Sequence, residues 1–296
     1  MKKNKKIKVS LPERIFQCVN YVLLLILAVV CIYPMWHVLM ASFSKPNKII
    51  RHQGALIKPL GFSIQAYKQV LSNPNILSGY KNTLIILVSG VIVCLFMTSL
   101  GAYVLSRKNL MWKKPITIFI MITMFISGGL IPFYLNLKSL HLTNTLAGIV
   151  VPFMINTYNM IILRTAFESI PDSLIDAAEI DGASHLKILT SIVLPLSKPT
   201  LSVMVLYYGV EKWNGWFWAS AILRDRNLLP LQVILREILL SSTQSMQAGG
   251  IGGDTEAIGM TIRYATIIVA TVPILLVYPF IQKYFTKGVM IGAVKE

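Results

Sequence analysis

Long apolar runs separated by short basic clusters dominate this chain. About 20 consecutive, mainly apolar residues are enough to cross a bilayer as a helix. Six stretches qualify: roughly Phe16–Ala41, Thr83–Leu105, Pro115–Leu137, Asn144–Leu163, Thr200–Leu223 and Ile262–Phe285. The pattern predicts an all-α, polytopic membrane protein with about six transmembrane helices. They form one membrane domain over residues 16–296, after a basic tail over 1–15. Three connections are too long for turns: Ser44–Asn82, Arg164–Pro199 and Arg224–Thr261. The first run is too long for the apolar region of a signal peptide, and no A-x-A cleavage site follows it, so it reads as a retained helix.

The basic residues orient the spans. Lys2, Lys3, Lys5, Lys6, Lys8 and Arg14 precede the first, and Arg107, Lys108, Lys113 and Lys114 follow the second. Both groups must lie on one side, which the positive-inside rule makes the cytoplasm. An even number of spans then places the C-terminus, with Lys283, Lys287 and Lys295, in the cytoplasm as well. The segment after the first span is basic too (Lys45, Lys48, Arg51, Lys58, Lys68, Lys81), yet falls outside. Long loops obey the rule weakly, and this surplus suits an acidic partner or ligand.

Composition agrees with the pattern. The chain is 55% hydrophobic and 14% charged, against about 25% charged in soluble domains. Its mean hydropathy is +0.65. The net charge of +16 would suit nucleic acid in a soluble protein, but no aromatic-rich basic module accompanies it, so membrane topology explains it and no nucleic-acid partner is expected. Cys18, Cys31 and Cys94 lie in or beside apolar runs and read as small packing groups. His37, His52, His141 and His185 are scattered, and no metal is expected. The run Gly249-Gly250-Ile251-Gly252-Gly253 lacks the Lys-Ser/Thr of a phosphate-binding loop. No catalytic residues and no cofactor are therefore expected on this chain.

The connection over about 164–199 is the informative one. Pro171 suits a first helical position, and Asp172 complements the helix dipole. Leu174, Ile175 and Ala178 share a face. Gly182 is placed to end that helix in a left-handed conformation, and Ser184 to cap a second one carrying Leu186, Leu189, Ile192 and Val193. Pro195 and Pro199 punctuate the return to the membrane. Ala177, Ala178, Gly182 and Ala183 keep the unit small, so it is either a docking knob that another protein's cleft approaches closely or an amphipathic connector on the membrane surface.

This segment resembles the EAA loop of binding-protein-dependent ABC importer permeases, EAA-x3-G-x9-I-x-L-P. Asp176-Ala177-Ala178, Gly182, Ile192, Leu194 and Pro195 match it, with Asp176 in place of Glu. The resemblance implies a type I importer permease fold with a cytoplasmic coupling helix seated in a groove of an ABC ATPase. It makes the matched residues the docking element, with the intervening Glu179, Asp181, Ala183, Ser184 and His185 as their neighbours. Trp213-Asn214-Gly215-Trp216-Phe217 and the tail from Lys287 to Lys295 are similar to the carbohydrate subfamily, the maltose-type second permease. That implies sugar cargo, a second permease chain, a cytoplasmic ATPase dimer that binds the ATP and Mg, and an extracytoplasmic solute-binding protein.

Ionisable groups inside spans mark function by default. Glu211 and Lys212 are the clearest case, and adjacent helical residues point about 100° apart, so they need not pair. Tyr208, Glu211, Trp213, Asn214, Trp216 and Phe217 are the candidate substrate path: aromatic faces stack on sugar rings, while Asn and Glu bond hydroxyls. Trp and Tyr also crowd membrane interfaces, which is the competing explanation. Ser127-Gly128-Gly129 and Asn156-Thr157-Tyr158-Asn159 read as helix-packing sites within spans. The basic residues Arg224, Arg226, Arg236 and Arg263 leave room for an acidic oligosaccharide such as a uronide. The alternatives are an ABC permease for a non-sugar solute and an ion-gradient-driven transporter. No repeat was found to support the latter, and Glu211 is the only acidic residue deep within a span.

Overall fold

The computed structural model describes residues 10–52, 54–247, 258–276 and 279. The glycine run at 249–253, the end of the predicted last span beyond Leu276 apart from residue 279, and the C-terminal tail lie outside the described residues. The chain is helical: α1 (Leu11–Ser42), α2 (Pro46–Ile49), α3 (Gln65–Leu71), α4 (Pro74–Ser106), α5 (Lys113–Ile122), α6 (Leu130–Ser139), α7 (Ala147–Val150), α8 (Thr157–Glu168), α9 (Asp172–Ile180) and α10 (His185–Ile188). A π-helical turn at Leu189–Val193 leads into α11 (Leu194–Leu196). Then come α12 (Lys198–Asn214), α13 (Phe217–Ile222), α14 (Leu231–Gln247) and α15 (Ile258–Leu276).

The apolar pattern located α1 and α4 well, since each is a single helix covering its predicted span. Among the described residues, α1, α4 and α15 are long and apolar enough to cross a membrane alone. Two bent pairs bring the total to five: Ala147–Phe153 with Thr157–Glu168, bent by 50°, and His185–Leu196 with Lys198–Asn214, bent by 87°. The predicted third span is broken into α5 and α6, with Gly129 at φ 85° between them. The predicted fifth stops at Asn214, and Gly215 separates α12 from α13.

These breaks fall on the polar residues first read as packing sites. Ser127-Gly128-Gly129 carry no helix. Asn156 caps α8, its Oδ1 accepting from Asn159 N at 3.2 Å. Both groups interrupt helices. An irregular backbone at membrane depth survives only where protein or a wet cavity satisfies its polar groups.

Packing divides the chain into two compact units. One comprises the residues up to Val70 with Ile238–Val269. In it Ala41, Ile49 and Leu56 are buried with Met260 and Tyr264 against them. Tyr33 Oη accepts from Leu56 N at 3.0 Å, and Trp36 Nε1 donates to Ile57 O at 2.9 Å. Cys18 and Cys31 lie on the surface of the membrane-spanning α1, outside the protein's own packing, whereas Cys94 is buried in it.

The other unit comprises Leu71–Glu237 and the described residues from Ala270 on. α4 packs on α8 and α12 at its centre. Tyr208, wholly buried, ties the three: its hydroxyl lies 2.6 Å from Thr98 Oγ1 and accepts from Asn156 N at 3.3 Å. Buried Asn82 holds the chain that follows α13, donating to Asn227 O at 2.7 Å and Leu229 O at 3.1 Å. Thr83 Oγ1 accepts from Leu231 N at 2.9 Å beside it. Asn82→Ala removes both bonds and leaves the buried Leu229 carbonyl without its donor, so it costs about 1–3 kcal/mol. A lowered thermal midpoint of the solubilised chain checks this; an unchanged midpoint would mean that water satisfies that carbonyl.

Candidate functional site

The segment over 171–196 has the local geometry its residues dictate. α9 begins after Pro171, which is its N-cap and not its first residue as expected. The helix ends at Gly182 with φ 76°. Gly182 N donates to Glu179 O at 3.0 Å and Ala183 N to Ala178 O at 2.9 Å, the paired bonds of a left-handed helix end. Ser184 caps α10, its Oγ accepting from Lys187 N at 3.4 Å. Pro195 sits within α11, and the chain turns at Ser197 instead.

One face of this unit is anchored and the other is open. Ile175, Ile188, Leu189 and Val193 are buried in the same cluster as Ala102, Leu163 and Phe167 of α4 and α8. Ala178, Ala183 and Leu194 pack partly against it, and Ile192 is half-buried. Leu174, expected to share a face with Ile175 and Ala178, is exposed. Asp176, Ala177, Glu179, Gly182, Ser184, His185 and Pro195 are exposed, and a Cβ added at Gly182 would meet nothing within 4 Å. Ile180, 86% exposed, and Leu186, 61% exposed, stand among these polar residues as unpartnered apolar side chains. Ion pairs brace the base: Lys108 with Asp172, and Glu168 Oε1 with Lys113 Nζ at 2.8 Å and Arg164 Nε at 3.0 Å. Hydrogen bonding to Asp172 raises the pKa of exposed Lys108.

A second constellation lies where α12 breaks. Phe133, Phe153 and Trp218 group with ring centroids 4.6–5.6 Å apart, and Phe217 meets Trp218 and Trp216 edge-on. Two clefts share Phe217 and Trp218. One, of about 380 Å³, is walled by Ser127-Gly128-Gly129 and Asn136. The other, of about 150 Å³, is walled by Phe153, Glu211, Lys212, Asn214 and Trp216. The Arg236 guanidinium lies 3.6 Å over the Trp216 ring. Arg224 donates to Tyr134 Oη at 3.1 Å, and Arg226 pairs with Glu237 at 3.1 Å.

The predicted path residues therefore divide. Glu211, Asn214, Trp216 and Phe217 line the cleft together. Tyr208 does not: it is a fully buried packing residue. Trp213 is also buried, near Tyr80, and its Nε1 has no partner among the described residues. Glu211 and Lys212, whose adjacent positions do not require them to pair, form an ion pair at 3.1 Å and line one cleft together. Phe133 and Phe153 were missed. They sit in other helical segments, and nothing local in the sequence links them to Trp218. Arg263 lies in the first unit, half-buried.

The model of the family described as the binding-protein-dependent transport system inner membrane component matches residues 102–291. The chain belongs to that family. It is 39% identical to the polygalacturonan/rhamnogalacturonan transport system permease protein YtcP of Bacillus subtilis (strain 168), over 96% of this chain and 100% of the relative. Identity to protein LplC of the same organism is 35%, over 95% of each chain. A solved bacterial ABC transporter involved in the import of the acidic polysaccharide alginate superposes with TM-score 0.82 at 32% identity, over 95% of this chain and 100% of that one. A second solved structure, a bacterial alginate ABC transporter in complex with alginate pentasaccharide-bound periplasmic protein, shares the fold with TM-score 0.52 at 15% identity. The expected all-α permease fold and the family read from Asp176–Pro195 are thus borne out. The chain is a multi-pass membrane permease of a binding-protein-dependent ABC importer, from a family of transport permeases and not of catalytic subunits.

Proposed function

We propose that this permease forms part of the path for an acidic oligosaccharide in an ATP-driven importer of the bacterial cell membrane, with both termini in the cytoplasm. A solute-binding protein delivers the cargo from outside. A second, different permease chain completes the path. An ABC ATPase dimer, which binds the ATP and Mg, docks on residues 176–185, and Ile192, Leu194 and Pro195 set the return of the chain to the membrane. ATP closes the ATPase dimer, the docked segments move with it, and the two permeases rock open to the outside. Hydrolysis resets them. The chain contributes a bistable bundle and not chemistry.

The observation that carries the reading is the two-faced segment at 171–196: small and charged residues outward, apolar residues sunk into the core shared by α4 and α8. Acidic cargo is supported by the named substrates of YtcP and of the alginate transporter, and by Arg236 over Trp216, a residue of the aromatic cleft suited to sugar faces. The test is uptake by proteoliposomes holding the complete importer. Oligogalacturonides are taken up when ATP is enclosed, and an ionophore does not stop it. Uptake of neutral maltodextrin but not of oligogalacturonide would overturn the acidic cargo, and uptake that an ionophore abolishes would overturn the ATP-driven reading.

A further inference from the structure

A lysine in a membrane helix ordinarily extends its ammonium toward the interface. Lys212 does not. It is 8% exposed, and its stem lies against Gly90 of α4, where an added Cβ would stand 3.2–3.3 Å from its Cγ, Cδ and Cε. At about 1.5 Å per residue it is about 21 Å along α12 from Lys198. Its Nζ sits 3.1 Å from Glu211 Oε1 and 5.5 Å from the centre of the Phe153 ring. The two partners differ in freedom: the Lys212 side chain is 5% exposed and that of Glu211 43%. The cation is held by packing, while its anion stands at an opening to the aromatic cleft.

We propose that Lys212 reads the charge of the cargo, Glu211 holding its ammonium until a sugar carboxylate takes that place. This rests on the reading of the cargo as an acidic oligosaccharide. A buried ammonium cannot be left without an anion. A neutral sugar offers no replacement, so Glu211 stays and fills the cleft. A uronate exchanges one carboxylate for another while its ring faces Phe153 and Trp216, and the charge balance of the site is unchanged. Specificity is then a difference between carboxylate and ester at one atom, Lys212 Nζ.

The experiment compares trigalacturonate with its fully methyl-esterified form in proteoliposomes of the complete importer. Rings and length are the same and only the charge is removed. The acid-to-ester uptake ratio, compared between wild type and variant, cancels the preference of the binding protein. Lys212→Met lowers uptake of the acid by about tenfold or more and leaves the ester within about twofold, while Lys212→Arg keeps the acid preference. Glu211→Gln leaves the ammonium without its resident anion, so the acid-to-ester uptake ratio rises, because only the acid supplies one. Equal losses for acid and ester in Lys212→Met, with the acid still imported by wild type, overturn the inference and leave the cargo reading standing. Import of neither form by wild type overturns the cargo reading and the inference with it. Where Lys212→Met fails to assemble, Glu211→Gln decides: an unchanged acid-to-ester uptake ratio overturns the inference.

Discussion

Replacing Ala177 by Arg abolishes ATP-driven uptake while the chain still inserts and folds. Ala177 is exposed in the interior of α9, and Arg is nearly as good a helix former as Ala. Nothing inside the bundle is disturbed. What changes is the outer face, where a small side chain lets another protein's cleft approach closely. A bulky cation at the centre of an interface forfeits contacts of the size measured at binding hot spots, so affinity for the ATPase falls by about 30-fold or more. Co-purification of the ATPase from solubilised membranes reads this directly, with uptake as the second readout. Retention of the ATPase at wild-type level would move the docking surface elsewhere. Gly182→Arg is a less clean version, because φ 76° at that residue adds backbone strain to bulk. Gly182→Asn, which tolerates the left-handed region, keeps both assembly and transport.

The segment proposed to dock the ATPase was the most legible part of the sequence because its signals are local. Gly182 ends a helix, Ser184 starts one, and the small residues lie between. Each conclusion needs only neighbours in the chain. The long helices α1 and α4 were legible for a similar reason, being uninterrupted apolar runs. Windowed hydropathy fails where a span is broken, because it averages across the break. Ser127-Gly128-Gly129 and Asn156 are polar enough to stop a helix but too few to end an apolar run, so two broken segments read as whole spans. The candidate path was only half legible. The run from Glu211 to Trp218 announces aromatic and charged residues, but which of them face a cleft is decided by α12 packing on α4. That packing buries Tyr208 against Thr98 and lays Lys212 along Gly90. The aromatic partners Phe133 and Phe153 come from other segments altogether, and only the fold brings them to Trp218.

The same packing yields the second large effect, at Phe167. This side chain is wholly buried near the end of α8, in the cluster that holds Ile175, Ile188 and Val193 of the docking segment against Ala102 of α4 and Leu163 of α8. A push on the outer face of α9 reaches the bundle through these contacts. Phe167→Ala leaves a cavity at the junction and costs about 3–5 kcal/mol. Lipid does not relieve that loss, since helices in membranes hold together by packing contacts. The docking face itself is untouched, because Ala177, Glu179 and Gly182 point away from the cluster into solvent. The ATPase therefore still binds and hydrolyses ATP, while uptake per ATP consumed falls about tenfold or more, a loss of about 1.4 kcal/mol or more of coupling. Simultaneous measurement of hydrolysis and uptake in proteoliposomes checks this, with Phe167→Leu, which refills most of the cavity, restoring the ratio. Hydrolysis and uptake falling in parallel, at an unchanged ratio, would mean that Phe167 supports assembly alone and that the push travels by another route.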